Sequence, residues 1–388
     1  MLADSIARMK ITDVRCILLT APYGAGHRQT NRSYATIAIE TEDGRVGLGE
    51  PYAGVNMPTV CRELILQLKP VLIGQNAESH RATLAKLSSI CEYFDHRGLI
   101  YCVLGAIDWA LHDLAAQRAN LPLHRYLNLD SSPSVELYAS AGPADDPPHQ
   151  IAQDIESYKT QGFQSVKIRA GCGKYTAEQA ADHIEAVKKL VPDELQLGVD
   201  TGQQIFHHDR LWSKQNAISL VTRLANLNLL FLEDPLLIHD MAGYQELAQL
   251  EALPIAGGEM FCESEPFITY MQANALDVVQ PDAAVLAGPA AAIKIGQHAE
   301  KFRKKVIMHG WAGPVAQMQN IHAALAIGVC DMVEYCVLYH PLLHEVLSPI
   351  WQFESGRLQA PEQPGMGIAF TDHLITRYPF TGVSHLIA

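Results

Sequence analysis

Seven short apolar runs from about residue 165 onward lead into ionisable residues: Lys167 with Arg169, then Asp200, Glu233, Glu259, Asp282, His309 and Glu334. Singly, each could be a polar cap at a strand end or at the start of a helix. As a series the capping explanation is strained, because several strands would have to deliver charge to one place by accident. Asp200, Glu233 and Glu259 stand in Gly-Val-Asp, Leu-Glu-Asp-Pro and Gly-Gly-Glu. Three converging carboxylates repel one another and push their pKa values upward unless a cation joins them. Hard carboxylate oxygens suit Mg²⁺, which keeps its other octahedral positions for water or substrate. Mg²⁺ is therefore the expected cofactor, a surface acidic patch being the bland alternative.

The other members suggest proton transfer. A carboxylate beside an imidazole fixes its tautomer and stabilises its charged form, so Asp282 next to His309 reads as a general-base dyad. A lone structural histidine is the competing interpretation. Lys167 and Arg169 are two apart, so on a strand both point to one face. Lysine can become a base when burial or neighbouring cations lower its pKa, whereas arginine stays protonated. Glu334 is placed to hydrogen-bond developing negative charge if it carries a proton.

These residues need a scaffold that brings them together. From about residue 135, β-like runs at 135–140, 165–169, 195–200, 229–233, 254–258, 275–280, 305–308 and 331–335 alternate with helical stretches such as 177–190 and 213–226. Such alternation predicts a parallel sheet closed into a barrel whose C-terminal strand ends share one mouth. A doubly wound open sheet also alternates, but no GxGxxG follows the first strand. Before it, 11–19, 33–40 and 46–50 read as strands with a hairpin at Glu42-Asp43-Gly44, and 58–120 as helical. Val103, Leu104, Ile107, Leu111 and Leu114 predict an amphipathic helix over 102–118. The Pro/Gly-rich stretch 360–370 reads as an exit from the barrel.

Bulk properties exclude several classes. A chain of 388 residues, 48% hydrophobic and 18% charged, has material for a large core and more than one domain. The net charge is −13, and the densest basic run, 301–305, resembles a helix end, so nucleic acid is not an expected partner. The eight cysteines are scattered without CxxC or zinc spacing, against a disulfide framework or thiolate metal site. The start of the chain lacks a signal-peptide pattern, and the apolar stretch 283–293 is too short to span a bilayer. A cytoplasmic protein without a membrane partner is expected.

With these residues in view, the chain resembles the mandelate racemase subgroup of the enolase superfamily. The resemblance runs through Ala106-Ile-Asp-Trp-Ala-Leu-His-Asp-Leu114, similar to that family's AIDIALWDL helix. It continues through Val166-Lys-Ile-Arg169, Val199-Asp200, Leu232-Glu-Asp-Pro235, Gly257-Gly-Glu259, Gln280-Pro-Asp282, His309 and Val333-Glu-Tyr335. It implies an α/β fold, a (β/α)7β TIM-type barrel under an α+β capping domain. The expected division is 1–128 for the cap, 129–357 for the barrel and 358–388 for a segment returning to the cap. It further implies Mg²⁺ on Asp200, Glu233 and Glu259, the Asp282–His309 base dyad, and Lys167, Arg169 and Glu334 as the remaining catalytic groups. Cap loops around 23–32 and 51–57 would close over a small carboxylate substrate, with His27, Arg28, Asn31 and Tyr52 as candidate contacts. Association with copies of itself is also expected.

Two departures from the family pattern matter. Arg169 stands where the second lysine of a KxK pair is usual, and Gly202 stands where an asparagine is usual. Racemisation needs a base on each face, and only the His309 side offers a clear one. Elimination asks less: His309 takes the α-proton and returns it to a departing β-hydroxyl. The expectation is therefore dehydration of an acid sugar to a 2-keto-3-deoxy acid, with a sugar-lactone cycloisomerase or a racemase as alternatives. His309-Gly-Trp311 resembles the HVWG run of one cycloisomerase branch. A metal-dependent hydrolase would recruit several histidines from strand ends, and a non-catalytic descendant would have lost part of the set.

Overall fold

The computed structural model describes residues 9–24, 29–91, 93, 98–141, 144, 146–171, 173–203 and 211–382. Strands β1 (Ile11–Tyr23) and β2 (Thr30–Thr41) form a long antiparallel ribbon, and β3 (Val46–Gly49) returns along β2 with Ala38 opposite Leu48. The turn falls at the expected hairpin, where Gly44 takes φ +81°, a conformation that costs glycine little. Helices α1 (Pro58–Leu72), α2 (His80–Cys91) and α3 (Leu99–Ala119) complete this layer, followed by the short α4 (Leu123–Leu127).

Helix α3 departs from the expected amphipathic stripe, because it is buried on nearly every side. It lies against β3 so closely that a Cβ at Gly49 would stand 1.9 Å from the Ala106 carbonyl oxygen. On its other side Trp109 donates its indole N–H to Ala283 O at 2.9 Å, reaching into the barrel. Asp113 accepts from the backbone of Leu48 and of Met366, tying β3 and the C-terminal segment to one helix. The helix is long and apolar enough to cross a membrane by composition, yet 78% of its most apolar window is buried inside this fold.

The barrel follows as β4 (Ser134–Ser140), α5 (Pro148–Thr160), β5 (Ser165–Arg169), α6 (Ala177–Lys188), β6 (Gln196–Asp200) and α7 (Lys214–Leu224). It continues as β7 (Phe231–Glu233), α8 (Met241–Gln249), β8 (Ile255–Gly257), α9 (Ser264–Gln272), β9 (Val278–Val279), α10 (Pro289–Phe302), β10 (Lys305–Met308), α11 (Pro314–Ile327) and β11 (Cys330–Cys336). Neighbours pair in parallel, and β11 pairs with β4, Glu334 opposite Tyr138, which closes the ring. Tyr138, Phe231, Ala256, Val278, Ile307 and Met332 pack together inside it. Their apolar plug is the floor on which the polar mouth rests.

After β11 come α12 (Pro341–Leu347) and the hairpin β12 (Phe353–Glu354) and β13 (Arg357–Gln359), the latter antiparallel to the start of β4. The chain then crosses to the first layer through α13 (Asp372–Arg377), and Thr20 N–H donates to Tyr378 O at 3.2 Å. The seven described cysteines are free thiols; Cys172 lies outside the described residues.

One buried carboxylate joins cap to barrel. Glu50, directly after β3, accepts the backbone N–H groups of Gly313, Val315 and Ala316 at the start of α11. A carboxylate at a helix N-terminus satisfies donors that no helical carbonyl can reach. Glu50→Ala would strand them in a dry interface, costing on the order of 2–4 kcal/mol by denaturant titration. Burial pushes the Glu50 carboxyl up to about 7 from an ordinary 4.5 despite those donors. A raised carboxyl pKa stabilises the fold fully below the unfolded value and loses that contribution as pH rises through the folded one. The loss on Glu50→Ala is thus expected to be larger at pH 5 than at pH 8, and equal losses would refute it.

Candidate active site

The strand register delivers the charged residues to one level. Arg169 pairs with Asp200 and Asp200 with Glu233 at the ends of β5, β6 and β7. Glu259 lies two residues past β8, after Gly258 at φ +104°, while His309 follows β10 directly. Asp282 lies just beyond β9, and Glu334 sits within β11.

Asp282 and His309 meet as expected. His309 Nδ1 stands 2.7 Å from Asp282 Oδ2, while Asp282 Oδ1 accepts from Ala284 N–H and from the Asn320 amide. The carboxylate is thereby held on both oxygens, so the ring presents Nε2 to the mouth. That atom lies 3.2 Å from Glu259 and 3.7 Å from Glu334. Burial works against the charged ring, but Glu259, Glu334 and Asp282 outweigh it and raise His309 to about 10.

Lys167 is 1% exposed, and its Nζ is 2.8 Å from Glu233 and 2.9 Å from Glu334. Burial opposes its charge, yet the two carboxylates hold it well above the ordinary lysine range. Glu334, which burial alone would raise, is held at about 2 chiefly by Lys167 and His309. Its carboxylate also receives Gly310 N–H at 3.1 Å, so in this arrangement Glu334 is surrounded by donors. Arg169 lies 3.4 Å from Asp200 and 4.5 Å over the Trp311 ring. At the position where the family pattern has asparagine, Gly202, at φ +57°, donates its backbone N–H to Asp200 Oδ1 at 2.7 Å.

Each expected metal ligand thus leans on a basic side chain: Asp200 on Arg169, Glu233 on Lys167, Glu259 on His309. As arranged here, no group of three or more His, Cys, Asp or Glu among the described residues is set to hold an ion. The donor set nonetheless fits a hard divalent cation. Five carboxylates (Asp200, Glu233, Glu259, Asp282, Glu334) share the mouth with three basic groups (Lys167, Arg169, His309). Burial raises Glu233 to about 8 in spite of Lys167, and raises Glu259 in spite of His309. Carboxylates driven toward taking up protons mark a place short of positive charge.

Of the four loop candidates, Tyr52 reaches the site, its ring centroid 5.7 Å from that of His309. Asn31 lies in β2 with its side chain exposed, opposite Pro22. His27 and Arg28 lie outside the described residues, as do His207 and His208. Three contributors escaped the sequence reading. Gln280 donates to Glu233 at 2.6 Å and Asn320 orients Asp282, while Glu50 locks the cap. Gln280 sits inside a motif that was noticed for Asp282; Asn320 is on a helix, where no spacing signals it.

Known proteins resemble the chain along most of its length. Residues 13–127 match the mandelate racemase / muconate lactonizing enzyme N-terminal domain, and 150–374 match the enolase C-terminal domain-like family. Arabinonate dehydratase of Saccharolobus solfataricus is 25% identical over 342 residues, covering 88% of this chain and 89% of that protein. D-galactarolactone cycloisomerase of Agrobacterium fabrum is 25% identical over 386 residues, covering 95% and 99%. Among solved structures, a racemase from Streptomyces coelicolor A3(2) with bound magnesium superposes with TM-score 0.80 at 22% identity, covering 95% of this chain and 99% of that one.

Proposed function

The chain belongs to the mandelate racemase / muconate lactonizing enzyme family of the enolase superfamily, and we propose that it dehydrates an acid sugar to a 2-keto-3-deoxy acid. The reading rests on one observation: among the described residues, the mouth offers a proton acceptor on one side. His309 with Asp282 is that side. Lys167 is locked between two carboxylates, and Arg169 lies on Trp311 with a guanidinium that does not deprotonate in proteins. Inversion at the α-carbon needs a second base, so elimination fits better.

In the proposed reaction His309 Nε2 takes the α-proton, and the C–H electron pair passes into an enediolate on the substrate carboxylate. Asp282 holds the ring while its charge appears. Lys167 keeps its ammonium beside the carboxylate end, where negative charge grows. The imidazolium then protonates the β-hydroxyl, the C–O bond breaks, water leaves and the enol becomes the keto acid. Asp200, Glu233 and Glu259 are the residues proposed to hold Mg²⁺. When bound, the ion supplies positive charge to the enediolate and draws Glu259's charge away from His309. The magnesium in the Streptomyces neighbour supports this choice of cation.

The relatives' names, arabinonate dehydratase and D-galactarolactone cycloisomerase, support acid sugars as substrates. The test is incubation with Mg²⁺ in D₂O across acid sugars and their lactones, read by NMR. A 2-keto-3-deoxy product carries the proposal. Lactone conversion would reassign the chain to cycloisomerisation, exchange with inversion to racemisation, and no metal-dependent α-exchange would remove the basis of the reading.

A further inference from the structure

The basic groups of the deep mouth are spoken for, but one guanidinium at its rim is not. Arg32, on β2, is partly buried and lies 4.7 Å over the ring of Tyr23. Tyr23 meets Trp311 edge to face at 6.4 Å, and Arg169 covers Trp311 from the site side. A row of Arg32, Tyr23, Trp311 and Arg169 therefore runs from the cap into the barrel mouth. Tyr52, beside His309, feels the charge of both arginines.

Among the described residues, no carboxylate lies within ion-pair distance of Arg32. Glu50, the acid nearest enough to sense it, spends both oxygens on backbone N–H groups. The surroundings carry further unmet polarity. His340 stacks on Tyr34 at 5.1 Å and packs edge-on against Tyr23, and neither ring nitrogen of His340 nor the Tyr34 hydroxyl has a hydrogen-bond partner among the described residues. A half-desolvated guanidinium resting on an aromatic face is a receptor for a planar anion, since cation–π contact recovers part of the lost hydration and leaves the N–H fork free.

Building on the acid-sugar reading, we propose that Arg32 forms a second carboxylate subsite at the rim, with Tyr23 and Trp311 as its platform. The substrate is then a dicarboxylic sugar acid or its lactone, with one carboxylate at Lys167 and the remote one at Arg32.

The experiment compares L-malate with L-lactate, which share a 2-hydroxy acid head and differ by the remote carboxylate. Both are titrated calorimetrically into the Mg²⁺-supplemented protein, its Arg32→Gln variant and its Arg32→Lys variant, with circular dichroism as a folding control. The wild type is expected to prefer malate. Arg32→Gln should cut the malate-to-lactate affinity ratio by about 30-fold or more, the loss typical of removing one partner of a desolvated charge pair, and Arg32→Lys should restore part of it. An unchanged ratio in Arg32→Gln, or a wild type without preference, overturns the subsite. Malate preference without any acid-sugar turnover would sink the catalytic reading and leave the subsite standing. Turnover confined to monoacids would do the reverse.

Discussion

Exchange of the substrate α-proton for deuterium should vanish when His309 is replaced by asparagine, and turnover should fall by about 10²- to 10⁴-fold, the usual worth of a positioned acid–base group. Asparagine retains an amide that can face Asp282 but has no atom able to accept a proton where Nε2 stands. Among the described residues, the neighbours offer no substitute. Lys167 is held protonated by Glu233 and Glu334, and Arg169 keeps its charge. Glu259 is the closest carboxylate to Nε2, at 3.2 Å, but it is one of the groups proposed for the cation. The measurement is NMR of the α-position in D₂O with Mg²⁺, alongside kcat for product formation. A variant with wild-type exchange would remove His309 from the mechanism, and the dehydratase argument would go with it.

The second large effect concerns Lys167. Lys167→Met keeps much of the stem volume and removes the ammonium that pairs with both Glu233 and Glu334, leaving two buried carboxylates without it. Removing one partner of a buried ion pair costs about 3–5 kcal/mol, because the remaining charge is neither solvated nor paired. Glu233, already raised to about 8, should climb further, and Glu334 should leave its low value near 2. The loss of charge at the substrate carboxylate adds a fall in kcat of about 10²-fold or more. Denaturant midpoints and steady-state rates separate the two consequences. Normal stability with lost activity would mean that the carboxylates relax by protonation. Near-normal kcat would show that Lys167 is structural, contrary to the proposed role.

Much of the site was legible because a barrel converts sequence order into convergence. Strand-end residues far apart along the chain meet at one mouth, so the run of ionisable residues from Lys167 to Glu334 identified both the architecture and the proposed chemistry. Helix α3 was legible as a helix but not as a buried one. Its apolar residues at helical spacing suggested one wet face, whereas the cap sheet and the barrel cover it from opposite sides. The cap was the least readable part. Tyr52 is among the expected contacts and reaches His309, whereas Arg32, at the end of the expected loop 23–32, is not among them, since its place over the Tyr23 ring is a tertiary contact that spacing does not signal.

By itself, then, the sequence determined which residue types stand at the strand ends, in what order, and that arginine replaces a second lysine. Local pattern suffices for that, since strand periodicity and turn chemistry are set by neighbours a few positions away. Only the tertiary structure decided who pairs with whom. Lys167 meets Glu233 across 66 positions of chain, and Glu50 caps a helix 266 positions later. It also decided that Lys167 stands between Glu233 and Glu334, that the Gly202 N–H reaches Asp200, and that Arg32 rests on the ring of Tyr23. The reason is physical: charge states and pairings in a buried site depend on distances of a few ångströms and on how much water is excluded, and neither quantity is written in the spacing of residues along the chain.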